Sequence, residues 1–304
     1  MTKNKTIGFI CALLAAITFG LNPFFGIPLY AEGMTPLSVL FYRFTFAALF
    51  MGIVLLIRKE SLRLPKRYWL HTFSGGVLLG LTCLFWFLSF RIMDSGIAAT
   101  ILFIYPVMVA IIMFLFFKEK MSRMTLLGTV IAIAGVVVLC QPGNGSKVNF
   151  EGVLYIMLSA LSYSIYIVGV QESRLKDLES GTLTFYALLF SIPVFLIPLR
   201  MGADLQMLPS LKALGNVIGL GLFPSLTAFL FTAVAVKHIG PTHTSILGAL
   251  EPLTAVLIGV FFFKENMKFS TCIGIVMILA AVTLIICCSG TQKKPEPVIS
   301  VPES

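Results

Sequence analysis

Charged residues are scarce in this 304-residue sequence, at 12% of the chain, whereas apolar residues make up 58%. Soluble globular proteins average about 25% charged and roughly 45–50% apolar residues. The low charge therefore excludes an ordinary soluble protein and indicates an integral membrane protein. The 22 Lys and Arg against 13 Asp and Glu do not require nucleic acid as a partner. Cytoplasmic loops of membrane proteins carry the same positive surplus.

Motifs for metal, disulfide, nucleotide and catalytic chemistry are also missing. No C-x-x-C and no cysteine-histidine metal spacing occurs, and the cysteines are interpreted as small apolar packing residues at positions 11, 83, 140, 272, 287 and 288. The segment GNGSK at 143–147 is too short for a phosphate-binding loop. No cluster of acids, histidines or a nucleophile with its base is visible. We therefore expect no catalytic residues, no metal, no cofactor and no ATPase subunit.

Long apolar segments dominate what is present. A helix needs about 20 apolar residues to cross about 30 Å of hydrocarbon. Ten segments approach this length, at 7–27, 36–57, 69–89, 95–117, 124–140, 151–171, 181–199, 214–236, 242–263 and 270–288. The sequence therefore predicts an all-α integral membrane protein with ten transmembrane helices and the lipid bilayer as its surroundings.

Positive charge in alternate loops predicts the orientation, because cytoplasmic loops retain Lys and Arg. With the N-terminus inside, the inner segments hold 15 Lys and Arg and the outer loops hold six. Both termini are therefore predicted to be cytoplasmic. We expect a multi-pass protein of the plasma membrane, which is the inner membrane in a bacterium.

The chain also repeats itself at a shift of 146 positions. Over residues 106–136 the shift gives 12 identities in 31 positions, among them Pro106 with Pro252 and Lys118-Glu119 with Lys264-Glu265. We predict a first repeat at 7–140, a linker at 141–150, a second repeat at 151–288 and a disordered cytoplasmic tail at 289–304. A repeat of five spans ends on the opposite side of the bilayer, so the second copy is inverted. Inverted repeats are typical of secondary transporters with a midplane site.

Four segments carry a resemblance to a known family: FGLNPFF at 19–25, FYRFTFAALF at 41–50, YPVMVAIIMFLFFKE at 105–119 and LEPLTAVLIGVFFFKE at 250–265. Each half resembles an EamA domain, and the chain from 7 to 288 resembles a ten-helix carrier of the drug/metabolite transporter superfamily. The resemblance implies an exporter or permease of small metabolites, often amino acids, with a central cavity built from both halves.

We therefore predict a secondary transporter that exports an amino acid-like or related organic solute across the plasma membrane by alternating access. Proton coupling is a further hypothesis, with Glu251 and His243 as its candidate residues. The alternative is a multipass protein that transports nothing, such as a membrane enzyme, a receptor or a scaffold component. Substrate accumulation or efflux would distinguish the carrier from these.

Two charged residues lie inside predicted spans, where each costs at least about 2.5–3.5 kcal/mol on insertion scales. At 1.5 Å per residue, Arg43 lies about 10 Å and Glu251 about 18 Å below the outer boundary. Arg43 could hold a substrate carboxylate or phosphate, while Glu251 holds an amine or a proton. Alternatively, the two form a structural ion pair with each other.

Other polar and aromatic residues on these spans complete the predicted binding site: Asn22, Trp86, Tyr105, Tyr163, Tyr166 and Ser245. Each could instead serve helix packing or an interfacial belt. Pro106 and Pro252 remove a backbone donor, which opens the helix near the residue four before each. We predict either hinges or simple packing at these two symmetric positions.

Overall fold

The computed structural model describes residues 3–60, 62–117, 123, 127–128, 130–131, 134–135, 138, 149–248, 250–264 and 269–289, and within them it contains helices and no strands. The α-helices with described bounds are α1 (Lys3–Gly20), α2 (Asn22–Ala31), α3 (Pro36–Ile57), α4 (Trp69–Ser89), α5 (Ser95–Leu102), α6 (Tyr105–Phe117), α7 (Phe150–Glu172), α8 (Ser180–Leu196), α9 (Leu211–Gly221), α10 (Ala228–Leu247), α11 (Leu250–Phe263) and α12 (Phe269–Ser289). A π-helical turn at Leu222–Thr227 joins α9 to α10.

Six of the described helical segments are long and apolar enough to cross a membrane: Thr6–Ala31, Pro36–Ile57, Lys66–Ser89, Ser95–Phe117, Phe150–Val170 and Leu211–Ala235. Shorter apolar helices lie at Ser180–Leu196, Leu253–Phe263 and Cys272–Ala281. All of these fall on spans predicted from the sequence. The predicted fifth span, 124–140, lies largely outside the described residues, as do most of the linker and the tail. The full count of ten stays a prediction.

Three of the apolar spans are interrupted, and a proline follows each interruption. Pro23 lies in the first turn of α2, Pro106 is the second residue of α6 and Pro252 is the third residue of α11. Proline is tolerated in a first turn because its missing N–H would have no helical partner there. The prolines therefore explain where these helices begin again, while a moving hinge at Pro106 or Pro252 stays a prediction.

The predicted boundary between the eighth and ninth spans differs from the structure. The sequence predicts a loop between 236 and 242, but the backbone is helical there and α10 continues to Leu247. The interruption instead falls between α10 and α11, at the position that corresponds to the α5–α6 interruption after a shift of 146. A proline such as Pro241 can bend a helix without ending it, so the sequence alone placed the boundary too early.

The principal packing joins helices of the first half of the chain to helices of the second half. In the described residues α1 packs on α10 and α11, α3 on α8 and α9, α4 on α7 and α8, α5 on α11 and α6 on α7. Small residues allow the closest of these contacts. A Cβ on Gly76 of α4, for example, would lie 2.5 Å from Phe190 Cβ of α8. The two halves therefore form one intertwined bundle.

Gln206, between α8 and α9, ties the two halves together at one end of the bundle. Its side chain and backbone form four hydrogen bonds with the segment around the start of α3, namely with the N–H of Thr35 (2.6 Å), the carbonyl of Gly33 (3.2 Å) and the hydroxyl groups of Ser38 (3.2 Å) and Tyr42 (3.0 Å). Nearby, the Ser210 hydroxyl caps α9 and donates to Glu32 at 2.6 Å. These contacts join the two halves at this end of the bundle.

Candidate functional site

Arg43 lies in α3 and is only 1% exposed, so its charge is enclosed by protein. Its Nε donates to the Ser225 hydroxyl at 2.7 Å and its Nη2 donates to the Pro224 carbonyl at 3.3 Å. Both acceptors belong to the π-helical turn of the other half. A buried charge is tolerated when it is hydrogen-bonded, and these two contacts satisfy part of the guanidinium.

Phe87 of α4 lies beside this guanidinium. The Arg43 Cζ atom is 5.2 Å from the centroid of the Phe87 ring and 5.5 Å from that of Phe44, which are cation–π distances. The Tyr30 hydroxyl of α2 donates to the Phe87 carbonyl at 2.8 Å. A Cβ on Gly26 would lie 3.2 Å from the Phe87 ring. Phe87 therefore joins α2, α3 and α4 around the charge.

The buried polar atoms on these helices that have no hydrogen-bond partner among the described residues include Arg43 Nη1, Trp86 Nε1 and Asn22 Oδ1. Asn22 still donates its amide to the Phe19 carbonyl at 2.7 Å, which leaves its acceptor oxygen unused. Asn22 and Gly26 are four residues apart on α2 and thus share the face that contacts Phe87. Buried polar atoms are rarely left unpaired in folded proteins, so two donors and an acceptor suggest a ligand.

Glu251 lies in the first turn of α11 and is partly buried. Its carboxyl group interacts electrostatically with the phenols of Tyr105 and Tyr163 and with the thiol of Cys83. Cys83 also interacts electrostatically with Arg43. No ion pair joins Arg43 to Glu251, both of which are described. The structure therefore disfavours the structural pair between these two residues.

Aromatic rings form the wall beside Glu251. The Tyr105 ring, in the first turn of α6, packs edge-on against Tyr163 of α7 with centroids 4.9 Å apart. Tyr163 stacks on Tyr166 at 6.2 Å, and the Ser164 hydroxyl donates to the Tyr105 carbonyl at 3.0 Å. Tyr105 and Glu251 occupy equivalent positions in the 146-residue repeat, and their side chains interact electrostatically.

Gly20 positions the end of α1 against the start of α11. A Cβ at this residue would lie 2.4 Å from Thr254 Cβ and 2.9 Å from the Glu251 carbonyl oxygen. Glycine is required there because no side chain fits between the two helices. The Gly-Leu-Asn segment of α1 and α2, which contains the predicted site residue Asn22, is thereby held beside the backbone of Glu251.

We expect Gly20→Ala to force α1 away from α11 and to lower stability by about 1–3 kcal/mol, the usual cost of overpacking. The displaced Glu251 backbone should also reduce transport. Gly169→Ala is the matched control, because a Cβ at Gly169 of α7 meets nothing within 4 Å. Melting temperature and transport of both purified variants check this prediction. Equal melting temperatures for the two variants would contradict the close contact at Gly20.

Of the residues predicted from the sequence, Arg43, Asn22, Trp86, Tyr105, Tyr163, Tyr166 and Glu251 lie on the helices around the two charges. Ser245 and His243 lie in α10, but their side chains are outside the described part of the chain, as is that of Pro252. Among described residues no group of three or more His, Cys, Asp or Glu could hold a metal. Sequence reasoning missed Ser225, Phe87 and Tyr30. Pro224 inside an apolar span was a usable signal for the first.

The model of the EamA-like transporter family matches the sequence twice, at residues 6–141 and 150–287. An uncharacterized transporter of Archaeoglobus fulgidus is 24% identical over 277 residues, which cover 90% of this chain and 97% of the relative. The uncharacterized transporter YwfM of Bacillus subtilis is 23% identical over 268 residues, covering 87% of this chain and 89% of the relative.

Protein PecM of Dickeya dadantii is 25% identical over 258 residues, covering 82% of this chain and 84% of that protein. A solved crystal structure superposes with a TM-score of 0.67 at 19% identity, covering 95% of this chain and 98% of the other. At this identity the likeness concerns the fold alone. It shows that the same helical arrangement is adopted by another chain of similar extent.

Proposed function

Because this chain belongs to the EamA-like transporter family, we propose that it is a secondary transporter that moves a small amino acid-like solute across the plasma membrane by alternating access. The family and the apolar helices already make the chain a multi-pass membrane transporter. The substrate class, the direction and the mechanism are the proposal. The observation that supports this proposal is that the buried Arg43 and Glu251 do not pair with each other.

An inverted repeat is proposed as the basis of alternating access. The packing supports it, since exchanging each first-half helix for its second-half counterpart reproduces the contacts. The pair α4 with α7, for instance, becomes α10 with α1, and both pairs occur. The interruptions before Pro106 and Pro252 correspond in the same way. Two such halves could exchange shapes and expose the site to either side.

The orientation and the direction of transport remain those predicted from the loops and the resemblance. We propose cytoplasmic termini, because 15 Lys and Arg then lie in cytoplasmic segments and six outside. The Gln206 contacts would then close the outer end, since they lie between the first and second spans and between the seventh and eighth. A site closed outside is the state in which an exporter would load its solute.

The two charges match the two ends of an amino acid. Arg43 Nη1 and Trp86 Nε1 are unused donors for a carboxylate, and Glu251 together with Asn22 Oδ1 would accept from an ammonium group. The tyrosine rings would pack against an apolar side chain, as in other small-molecule sites. A solute with both charges is therefore favoured over one with a single charge.

The test compares three compounds that share a ring: phenylalanine, phenylpropionate without the amine and phenylethylamine without the carboxylate. Purified protein is titrated with each while its melting temperature is measured, and leucine with its two analogues serves as a second series. Compounds that stabilise the protein are then examined for counterflow in proteoliposomes. We expect the amino acids to stabilise most and to exchange across the membrane.

The outcomes separate binding from transport. Equal stabilisation by all three compounds of a series would contradict a site that uses both charges. Stabilisation without counterflow would point to a receptor, and a chemical product would point to an enzyme. Proteoliposomes without protein and a heat-inactivated sample provide the background for counterflow.

A further inference from the structure

Pro224 creates the unusual turn that contacts Arg43. In a regular helix the carbonyl of residue 220 accepts the N–H of residue 224, but proline has no N–H to donate. The helix widens to a π-turn at Leu222–Thr227, and the Ser225 hydroxyl donates to the Leu220 carbonyl at 3.0 Å. The carbonyl that Pro224 cannot serve thus accepts a side-chain hydroxyl.

Because the Ser225 hydroxyl donates its hydrogen to Leu220, it can only accept a hydrogen bond from Arg43. A hydroxyl has one hydrogen and two acceptor lone pairs, and an arginine side chain has only donors. Since the Ser225 hydrogen points to Leu220, its lone pairs face Arg43 Nε at 2.7 Å. Ser225 is fully buried, so water does not compete for this bond.

The backbone next to the turn reinforces the same geometry. A Cβ on Gly221 would lie 3.2 Å from both the Arg43 carbonyl oxygen and the Ala47 nitrogen. The end of α9 therefore rests directly on α3 at the level of Arg43. Nε and Nη2 of the guanidinium are engaged by the turn, which leaves Nη1 as the unpartnered nitrogen.

We propose that Ser225 is the positioning residue of Arg43: it holds the guanidinium against the π-turn, keeps it from pairing with Glu251 and leaves Nη1 for the carboxylate of the substrate. This inference rests on the proposed function, in which Arg43 binds that carboxylate. Ser225 itself does not touch the solute. Its removal should therefore reduce recognition of the carboxylate more than any other property of the carrier.

The experiment measures dissociation constants of phenylalanine and phenylethylamine for the wild type and Ser225→Ala. The alanine leaves Arg43 Nε and the Leu220 carbonyl without their partner. We expect phenylalanine to bind at least about tenfold more weakly, the lower end of a charge-assisted hydrogen bond, and phenylethylamine to bind as before. Ser225→Thr keeps the hydroxyl and should restore phenylalanine binding.

Thr227→Val is the matched control. The Thr227 hydroxyl donates to the Leu222 carbonyl at 2.7 Å in the same π-turn, with the same five-residue spacing, but has no contact with Arg43. Loss of that bond should lower the melting temperature as Ser225→Ala does while leaving the preference for phenylalanine unchanged. A purely structural role for Ser225 would make the two variants behave alike.

Three results would overturn the inference. Ser225→Ala could retain the wild-type preference for phenylalanine over phenylethylamine while Arg43→Lys loses it, and then only the positioning role fails. Thr227→Val could lose the preference equally, which would assign the effect to the turn as a whole. If the wild type shows no such preference, the proposed function fails first and this inference with it.

Discussion

Arg43→Lys is expected to retain a folded protein that binds phenylalanine about 10- to 150-fold more weakly than the wild type, a loss of one charge-assisted hydrogen bond. Lysine keeps the charge but concentrates it on a single ammonium group, so it cannot contact Ser225, the Pro224 carbonyl and a substrate in the same arrangement. Phenylethylamine binding should change little. Titration of both compounds, followed by counterflow of phenylalanine, checks the result.

The control for this substitution is Arg58→Lys. Arg58 caps the end of the same helix, α3, and its side chain is 58% exposed beside Glu60 at 3.8 Å. An exposed pair of this kind contributes little, so binding and transport should be unaffected. If Arg43→Lys also binds phenylalanine normally, Arg43 does not recognise the carboxylate, and its burial serves only the contact between α3 and the π-turn.

Glu251→Gln is expected to weaken the binding of phenylalanine and of phenylethylamine by the same factor, again about 10- to 150-fold. The binding of phenylpropionate should not change. Glutamine has nearly the same shape but no charge, so the attraction for an ammonium group is lost while the packing against α1 remains. The measurement uses the same three compounds as the wild-type titration. Counterflow of phenylalanine should fall in proportion.

Glu151→Gln is the control, because Glu151 also lies in the first turn of a helix, accepts the Tyr155 hydroxyl at 2.7 Å and is exposed. Two other results for Glu251→Gln would give Glu251 a different role. Retained exchange with loss of transport driven by a proton gradient would make it the proton carrier. Normal affinities with a much lower melting temperature would make it a structural residue and contradict the proposed recognition of the amine.

Composition and the lengths of the apolar segments were sufficient for the membrane class and for most helix positions. Apolar length is a local property, so it survives in any tertiary context, and prolines mark where α6 and α11 begin. The boundary near Pro241 was wrong because composition does not distinguish a proline that bends a helix from one that ends it. The separate α2 helix was missed for the same reason, although Pro23 marks its first turn.

The partners of Arg43 could not be predicted from local patterns. Ser225 is 182 positions away from Arg43 in the sequence. A serine in an apolar span is usually a residue of helix packing, so it gives no sign of this contact. What the sequence does contain is the adjacent proline, and the missing N–H of Pro224 explains why a hydroxyl is needed at position 225. The contact itself depends on the packing of α9 on α3, which only the three-dimensional structure reveals.

Arg43 belongs to the first half of the chain and Glu251 to the second, and the two halves are in contact along most of their helices. If the halves rock against each other during transport, the gap between these charges must change with each cycle. Compounds whose amine and carboxylate lie farther apart than in an α-amino acid would then fit one state and oppose the passage to the other. Such elongated amino acids should act as competitive inhibitors that are bound but not carried.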